Sequence, residues 1–247
     1  MRITGSSGCY DGAVEWKLRA AAIPGALLVA LAFHAWPTGH FLQRTFLSMM
    51  VHEVGHAATA WWCGFGALPT LWKTLIPETR GAVWMLVAAL ELGVVAVGWK
   101  TQRLALVIAG VALAAVQLYA MNLPTDSAQA AITFGGDGGA MVLGTLLMMG
   151  FFVPKLREHG LRWGLLAIGA AAFVDTFATW WAARSDTDVI PFGEIEGVGL
   201  SDPSKLADVY GWSTGEIVHR YVTLGAVCLV ALAGVTVWQV LRSRARE

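Results

Sequence analysis

Charge is scarce in this chain. Only 14 % of its 247 residues are Asp, Glu, Lys or Arg, where a soluble domain carries about 25 %. The 17 basic and 17 acidic residues cancel, and no basic tract accumulates, so no field attracts a nucleic acid or another polyanion. The three cysteines, Cys9, Cys63 and Cys228, have the spacing of neither a zinc ribbon nor a redox pair. There is no G-x-S-x-G nucleophile elbow and no G-x-x-x-x-G-K-[ST] phosphate loop, and the GFG at 64–66 does not satisfy a dinucleotide fingerprint. Repeats and low-complexity tracts are missing too.

Apolar residues are abundant instead. They make up 56 % of the chain, and the mean hydropathy is +0.59. A membrane-crossing helix needs about 20 mostly apolar residues. Seven stretches qualify in outline, at 18–36, 41–62, 82–98, 104–121, 138–153, 161–182 and 218–241. The expected fold is therefore all-α, a polytopic membrane bundle of six to seven helices forming one integral membrane domain over 1–247. The first stretch reads as an anchor, because its apolar run is too long for a signal peptide and Asp11 and Glu15 precede it. Trp16, Trp36, Trp61, Trp62, Trp84, Trp99, Trp163, Trp180 and Trp181 flank these spans, as an interfacial aromatic belt does.

The connections differ in character. Residues 63–81 contain glycines and prolines with alternating apolar positions, which suits a short strand pair or a re-entrant interfacial segment. Residues 122–137 carry two charges and end in glycines, and read as a loop. Residues 183–217 are the one sizeable polar excursion, with Asp186, Asp188, Glu194, Glu196, Asp202, Asp208 and Glu216 against Arg184 and Lys205. With seven spans, Lys100, Arg103, Lys155, Arg157, Arg162, Arg242, Arg244 and Arg246 fall on one side, the cytoplasmic one by the positive-inside rule. Lys17, Arg19, Lys73 and Arg80 oppose that assignment.

The second span contains His52-Glu53-Val54-Gly55-His56. In a helix, positions i and i+4 share a face, so His52 and His56 can hold one metal ion. Zinc accepts imidazole nitrogen at about 2.0–2.1 Å. Glu53 can reach a water on that metal and act as general base. An ionisable group at the bilayer centre costs at least about 2.5–3.5 kcal/mol on insertion scales, so three within five positions need a shared reason. A metal site is one; a hydrogen-bonded polar cluster between helices is the other.

HEVGHAATAWWCGFG, residues 52–66, resembles the zinc-motif helix of the site-2 protease family of intramembrane metalloproteases, especially its compact bacterial members. The family's later Asp-Gly helix has a counterpart in FGGDGGAMVLG, residues 134–144, although Gly136 stands where the family has leucine before the aspartate. Asn122 and Pro124 lie too far upstream to take a family role. The resemblance implies a multi-pass protein of a bacterial inner membrane, a zinc endopeptidase cleaving membrane-spanning protein substrates within the lipid bilayer. It implies His52, His56 and Asp137 as metal ligands and Glu53 as the catalytic base. Asp137 also reads as a helix N-cap, and its flanking glycines as room for a substrate strand. Glu91, Asp175 and His219 compete as third ligand, while His34 and His40 read as interfacial. A membrane zincin using a downstream glutamate would recruit Glu194 or Glu196. A non-catalytic transport or partner-binding protein with a vestigial metal site is the alternative from another class.

Overall fold

The computed structural model describes residues 12–157, 160–195 and 199–245; Cys9, Asp11, Glu196 and Arg246 lie outside them. The chain is a helical bundle with almost no strand. Its elements are α1 (Gly12–Ala35), α2 (Pro37–Gln43), a π-helical turn (Arg44–Ser48), α3 (Met49–Trp62), β1 (Leu68–Pro69), β2 (Thr74–Leu75), α4 (Val83–Lys100), α5 (Leu104–Met121), α6 (Thr125–Met149), α7 (Pro154–Arg157), α8 (Leu161–Ala182), β3 (Glu194–Ile195), β4 (Gly199–Leu200), α9 (Asp202–Ser204), a second π-helical turn (Lys205–Val209) and α10 (Thr214–Arg244).

Six helices among the described residues are long and apolar enough to cross a membrane: α1, α4, α5, α6, α8 and α10. The protein is therefore a multi-pass integral membrane protein. Its surface agrees, since Leu86, Leu90 and Leu92 on α4, Leu118 on α5 and Val230 on α10 are all more than half exposed. Water would penalise such a surface and lipid does not. Trp36, Trp99, Trp163 and Trp181 are also exposed, whereas Trp180 is fully buried and belongs to no belt.

The expected second span is helical throughout, with a π-helical turn inside it. Pro37 starts a new helix after the bend at Trp36, and the path then runs through the π-helical turn into the 14-residue α3. The fifth span is longer than its hydropathy suggests. The spacing predicts a loop over 122–137 and a helix from 138, but α6 begins at Thr125, with Pro124 as N-cap and Asp126 in its first turn. Glycine disfavours an isolated helix by about 1 kcal/mol per residue. Here close packing against α3 overrides that cost.

That packing positions the site. A Cβ added to Gly139 or Gly55 would run into the backbone of the facing helix, so α3 and α6 touch main chain to main chain. On the other flank of α6, Gly144 and Gly169 meet in the same way, bringing in α8. Small residues allow this approach in membranes, where association depends on close contact and not on hydrophobic exclusion. More than half of each α6 and α8 span window is buried (56 %), against 11 % for α1 and α4. The helices α3, α6 and α8 therefore form the interior, and the others surround them.

Residues 63–81 form the expected strand pair: β1 and β2 pair antiparallel, and Phe65 bridges to Arg80. Described residues of the polar segment after α8 pack against the bundle. Leu206 and Ile190 are buried, and Trp212 packs its ring 5.9 Å from that of Phe134 on α6.

Candidate metal centre

The motif helix turns His52, Glu53 and His56 inward. His52 and Glu53 are buried, at 9 % and 4 % exposure. Each imidazole is fixed through its Nδ1. His56 Nδ1 lies 2.7 Å from the Ile132 carbonyl, which can only accept, so this nitrogen carries the proton. His52 Nδ1 donates to Asp137 Oδ1 at 2.9 Å. In the neutral rings both Nε2 atoms are then lone pairs.

These two lone pairs face each other at 3.1 Å. A third acceptor joins them from the polar segment: Asp202 Oδ2 lies 3.2 Å from His52 Nε2 and 2.9 Å from His56 Nε2. Three acceptors in mutual contact repel unless positive charge sits among them, either as protons on the rings or as a cation. Ligands of a tetrahedral zinc with bonds of about 2.0–2.1 Å stand about 3.3–3.4 Å apart. The triangle is close to that size, and its chemistry, two imidazoles and a carboxylate, suits zinc. The residues fit the ion.

Asp202 is placed by local chemistry. Its neighbour Ser201 is the N-cap of α9, accepting from the Ser204 amide, and Pro203 sits in the first turn, where its missing N–H costs nothing. Ser201 N donates to the Gly193 carbonyl, and Gly193 N donates to Ser204 Oγ, both at 2.8 Å. These bonds tie α9 to the chain entering the β3–β4 hairpin. Burial alone would raise the Asp202 carboxyl, but His52 and His56, when protonated on Nε2, donate to it and hold the group well below the usual carboxylate range. Its other oxygen, Oδ1, faces Lys205 Nζ at 3.7 Å.

Asp137 does not join the triangle. It lies in the interior of α6, so it is no N-cap, and it sits on the far side of His52. Its second oxygen accepts from Trp180 Nε1 at 2.8 Å, and Trp180 stacks on Tyr221 with ring centroids 4.2 Å apart. Asp137 thus orients and polarises an imidazole, as carboxylate partners of metal-bound histidines do. Gly136 beside it makes room for the rings: a Cβ there would stand 2.5 Å from His56 Nε2 and 2.6 Å from His52 Cε1. Gly136→Ala is therefore expected to destabilise the protein by about 1–3 kcal/mol and to weaken metal binding, read as a lowered Tm and by zinc competition. Gly93→Ala, which meets nothing within 4 Å, is the control and should neither lower Tm nor weaken zinc binding.

Glu53, the residue after His52 on α3, lies under the β1–β2 hairpin. Thr74 Oγ1 on β2 lies 2.7 Å from Glu53 Oε2 and 2.8 Å from the Glu53 carbonyl. The rival ligands are elsewhere. Glu91 is buried on α4, where Oε1 accepts from Trp62 Nε1 at 2.9 Å. His219 lines a separate surface pocket with Arg184 and Thr187. Glu194 is exposed on β3. Asp175 binds His40, Arg44 and Ser48. Both π-helical turns adjoin the triangle's ligand segments, one leading into α3 and the other directly after α9. Such turns recur at functional sites.

No protein-family model matches this sequence, and no curated protein or solved structure is significantly similar to it. The class of protein rests on its own structure: a multi-pass membrane helical bundle enclosing a two-histidine, one-carboxylate cluster beside a buried glutamate.

Proposed function

We propose that this chain is a zinc-dependent intramembrane endopeptidase in which His52, His56 and Asp202 hold the metal and Glu53 is the catalytic base. The reading keeps the activity, metal and base that the motif resemblance implies, and moves the third ligand from Asp137 to Asp202. The observation that carries it is the convergence of three acceptor atoms, each with its outer partner in place, beside a buried carboxylate.

Zinc, when bound, polarises a substrate carbonyl and lowers the pKa of water to about 7. Glu53 takes the proton from the attacking water and delivers it to the leaving amine. The Thr74 hydroxyl occupies Oε2, which leaves Oε1 for the water. Asp137 keeps the proton of His52 on Nδ1, so that Nε2 stays a donor to the metal. The glycine-lined α3–α6 interface and the packed Trp180 hold these groups rigid, as a preorganised site requires.

The substrate class follows from the surroundings. The cluster lies among membrane-crossing helices, so the peptide bond it meets belongs to a membrane-spanning segment. A helix shields its carbonyls in hydrogen bonds, so that segment must unwind locally before cleavage. The β1–β2 hairpin offers a strand edge whose Thr74 touches Glu53. A bacterial inner membrane is the proposed location, on the motif resemblance alone.

Purified protein reconstituted with a transmembrane-segment reporter tests the reading. Cleavage should stop on chelation and return with zinc. A preparation that binds no zinc, or that cleaves equally well without it, would reject the reading and favour a non-catalytic transport or partner-binding role.

A further inference from the structure

A second polar cluster lies one turn before the motif along the same helical path. Asp175 on α8 is 1 % exposed and uses its two oxygens differently. Oδ2 accepts from Arg44 Nη1 at 3.1 Å and from Ser48 Oγ at 2.7 Å. Oδ1 turns toward two imidazoles: His40 Nε2 at 2.8 Å and His34 Nδ1 at 4.0 Å. The two rings are 4.3 Å apart between centroids, and one ligand atom from each of the three residues lies within 4.8 Å of the others. His34 Nδ1 is buried without a hydrogen-bond partner, which costs free energy in any site.

We infer that His34, His40 and Asp175 form a second divalent-metal site, selective for ions that accept imidazole nitrogen and carboxylate oxygen, zinc among them. An ion placed among the three atoms partners the orphaned nitrogen of His34, which no protein group does. Ser48 and Arg44 hold the outer oxygen of Asp175 and aim the inner one, the arrangement that orients metal carboxylates elsewhere. The Arg44 guanidinium opposes a dication, but it binds the far oxygen and its side chain is 42 % exposed, so solvent weakens the repulsion. His40, at 37 % side-chain exposure, leaves a way in.

The two clusters share no residue. Ser48, which holds Asp175, and His52 are four residues apart, about 6 Å along a helix axis. The second ion would join the α1–α2 elbow to α8 and fix the π-helical turn that leads into the motif helix. Its role is structural, so it does not depend on whether the first site is catalytic.

Zinc content after dialysis, measured on detergent-purified full-length protein, tests the inference. The wild type is expected to hold two equivalents, and His34→Gln and His56→Gln one each. Varying an imidazole spares the Asp175–Arg44 pair and with it the fold, which a size-exclusion profile checks. Cobalt titration gives an independent count, since His34→Gln should remove one of two visible-band saturations. One equivalent in the wild type, kept in His34→Gln and lost in His56→Gln, overturns the second site and leaves the endopeptidase reading standing. One equivalent lost in His34→Gln and kept in His56→Gln confirms the second site and rejects the first. No zinc in any form rejects both.

Discussion

Glu53→Gln is expected to keep its zinc and to lose cleavage by about 10²–10⁴-fold, the usual contribution of a positioned acid–base group. The substitution is nearly isosteric, so the α3–α6 contact is undisturbed. A glutamine carbonyl still accepts from Thr74, which lies 2.7 Å from the present carboxylate. What vanishes is the ability to take a proton. The glutamate is not in the acceptor triangle, so metal content should match the wild type. Turnover of a transmembrane reporter with parallel zinc analysis reads both quantities. Normal turnover in Glu53→Gln would remove this residue from the chemistry, and simultaneous loss of zinc would make it a ligand instead. The result also separates an enzyme from a vestigial metal site, since only an enzyme has turnover to lose.

Much of this architecture is visible in the sequence, because membrane helices advertise themselves by composition. The spans at 104–121 and 161–182 coincide with α5 and α8, where long apolar runs leave one reading. The motif was legible because i, i+4 spacing converts directly into one helical face. Three features were not. The start of α6 hides in a glycine-rich stretch whose helicity depends on α3 lying against it, a tertiary effect without a local signal. Trp180 looks like an interfacial tryptophan, and only its burial against Tyr221 reveals its bond to Asp137. Asp202 is one of seven acidic residues in a polar excursion, and its place against His52 and His56 is a tertiary contact. The Ser201-Asp202-Pro203 helix-start pattern marks a turn there, but nothing local says what the carboxylate faces.

Removing Asp202 should weaken zinc more than removing Asp137 does. In the proposed site Asp202→Ala deletes one of three direct metal donors, whereas Asp137→Asn removes a partner of His52, a change that typically costs about 10–100-fold in metal affinity. The two substitutions also differ in how the protein responds to zinc. Both oxygens of Asp137 are engaged, one by His52 and one by Trp180, so an asparagine must turn its amide toward one of these donors. Asp137→Asn therefore lowers Tm with or without metal. Asp202 lies outside the membrane spans and without metal pairs with the two imidazoles and Lys205. Its loss also removes these pairs from the apo protein, so what distinguishes it from Asp137→Asn is a missing response to zinc. A ligand present at about 100 times its Kd stabilises by about 2.7 kcal/mol, and Asp202→Ala should forfeit most of that gain while Asp137→Asn keeps a shifted part of it. Competition titrations and thermal melts with and without zinc give both comparisons. If Asp137→Asn abolishes binding while Asp202→Ala binds like the wild type, the third ligand is the aspartate in α6, and Asp202 only fills the place that zinc and its water would take.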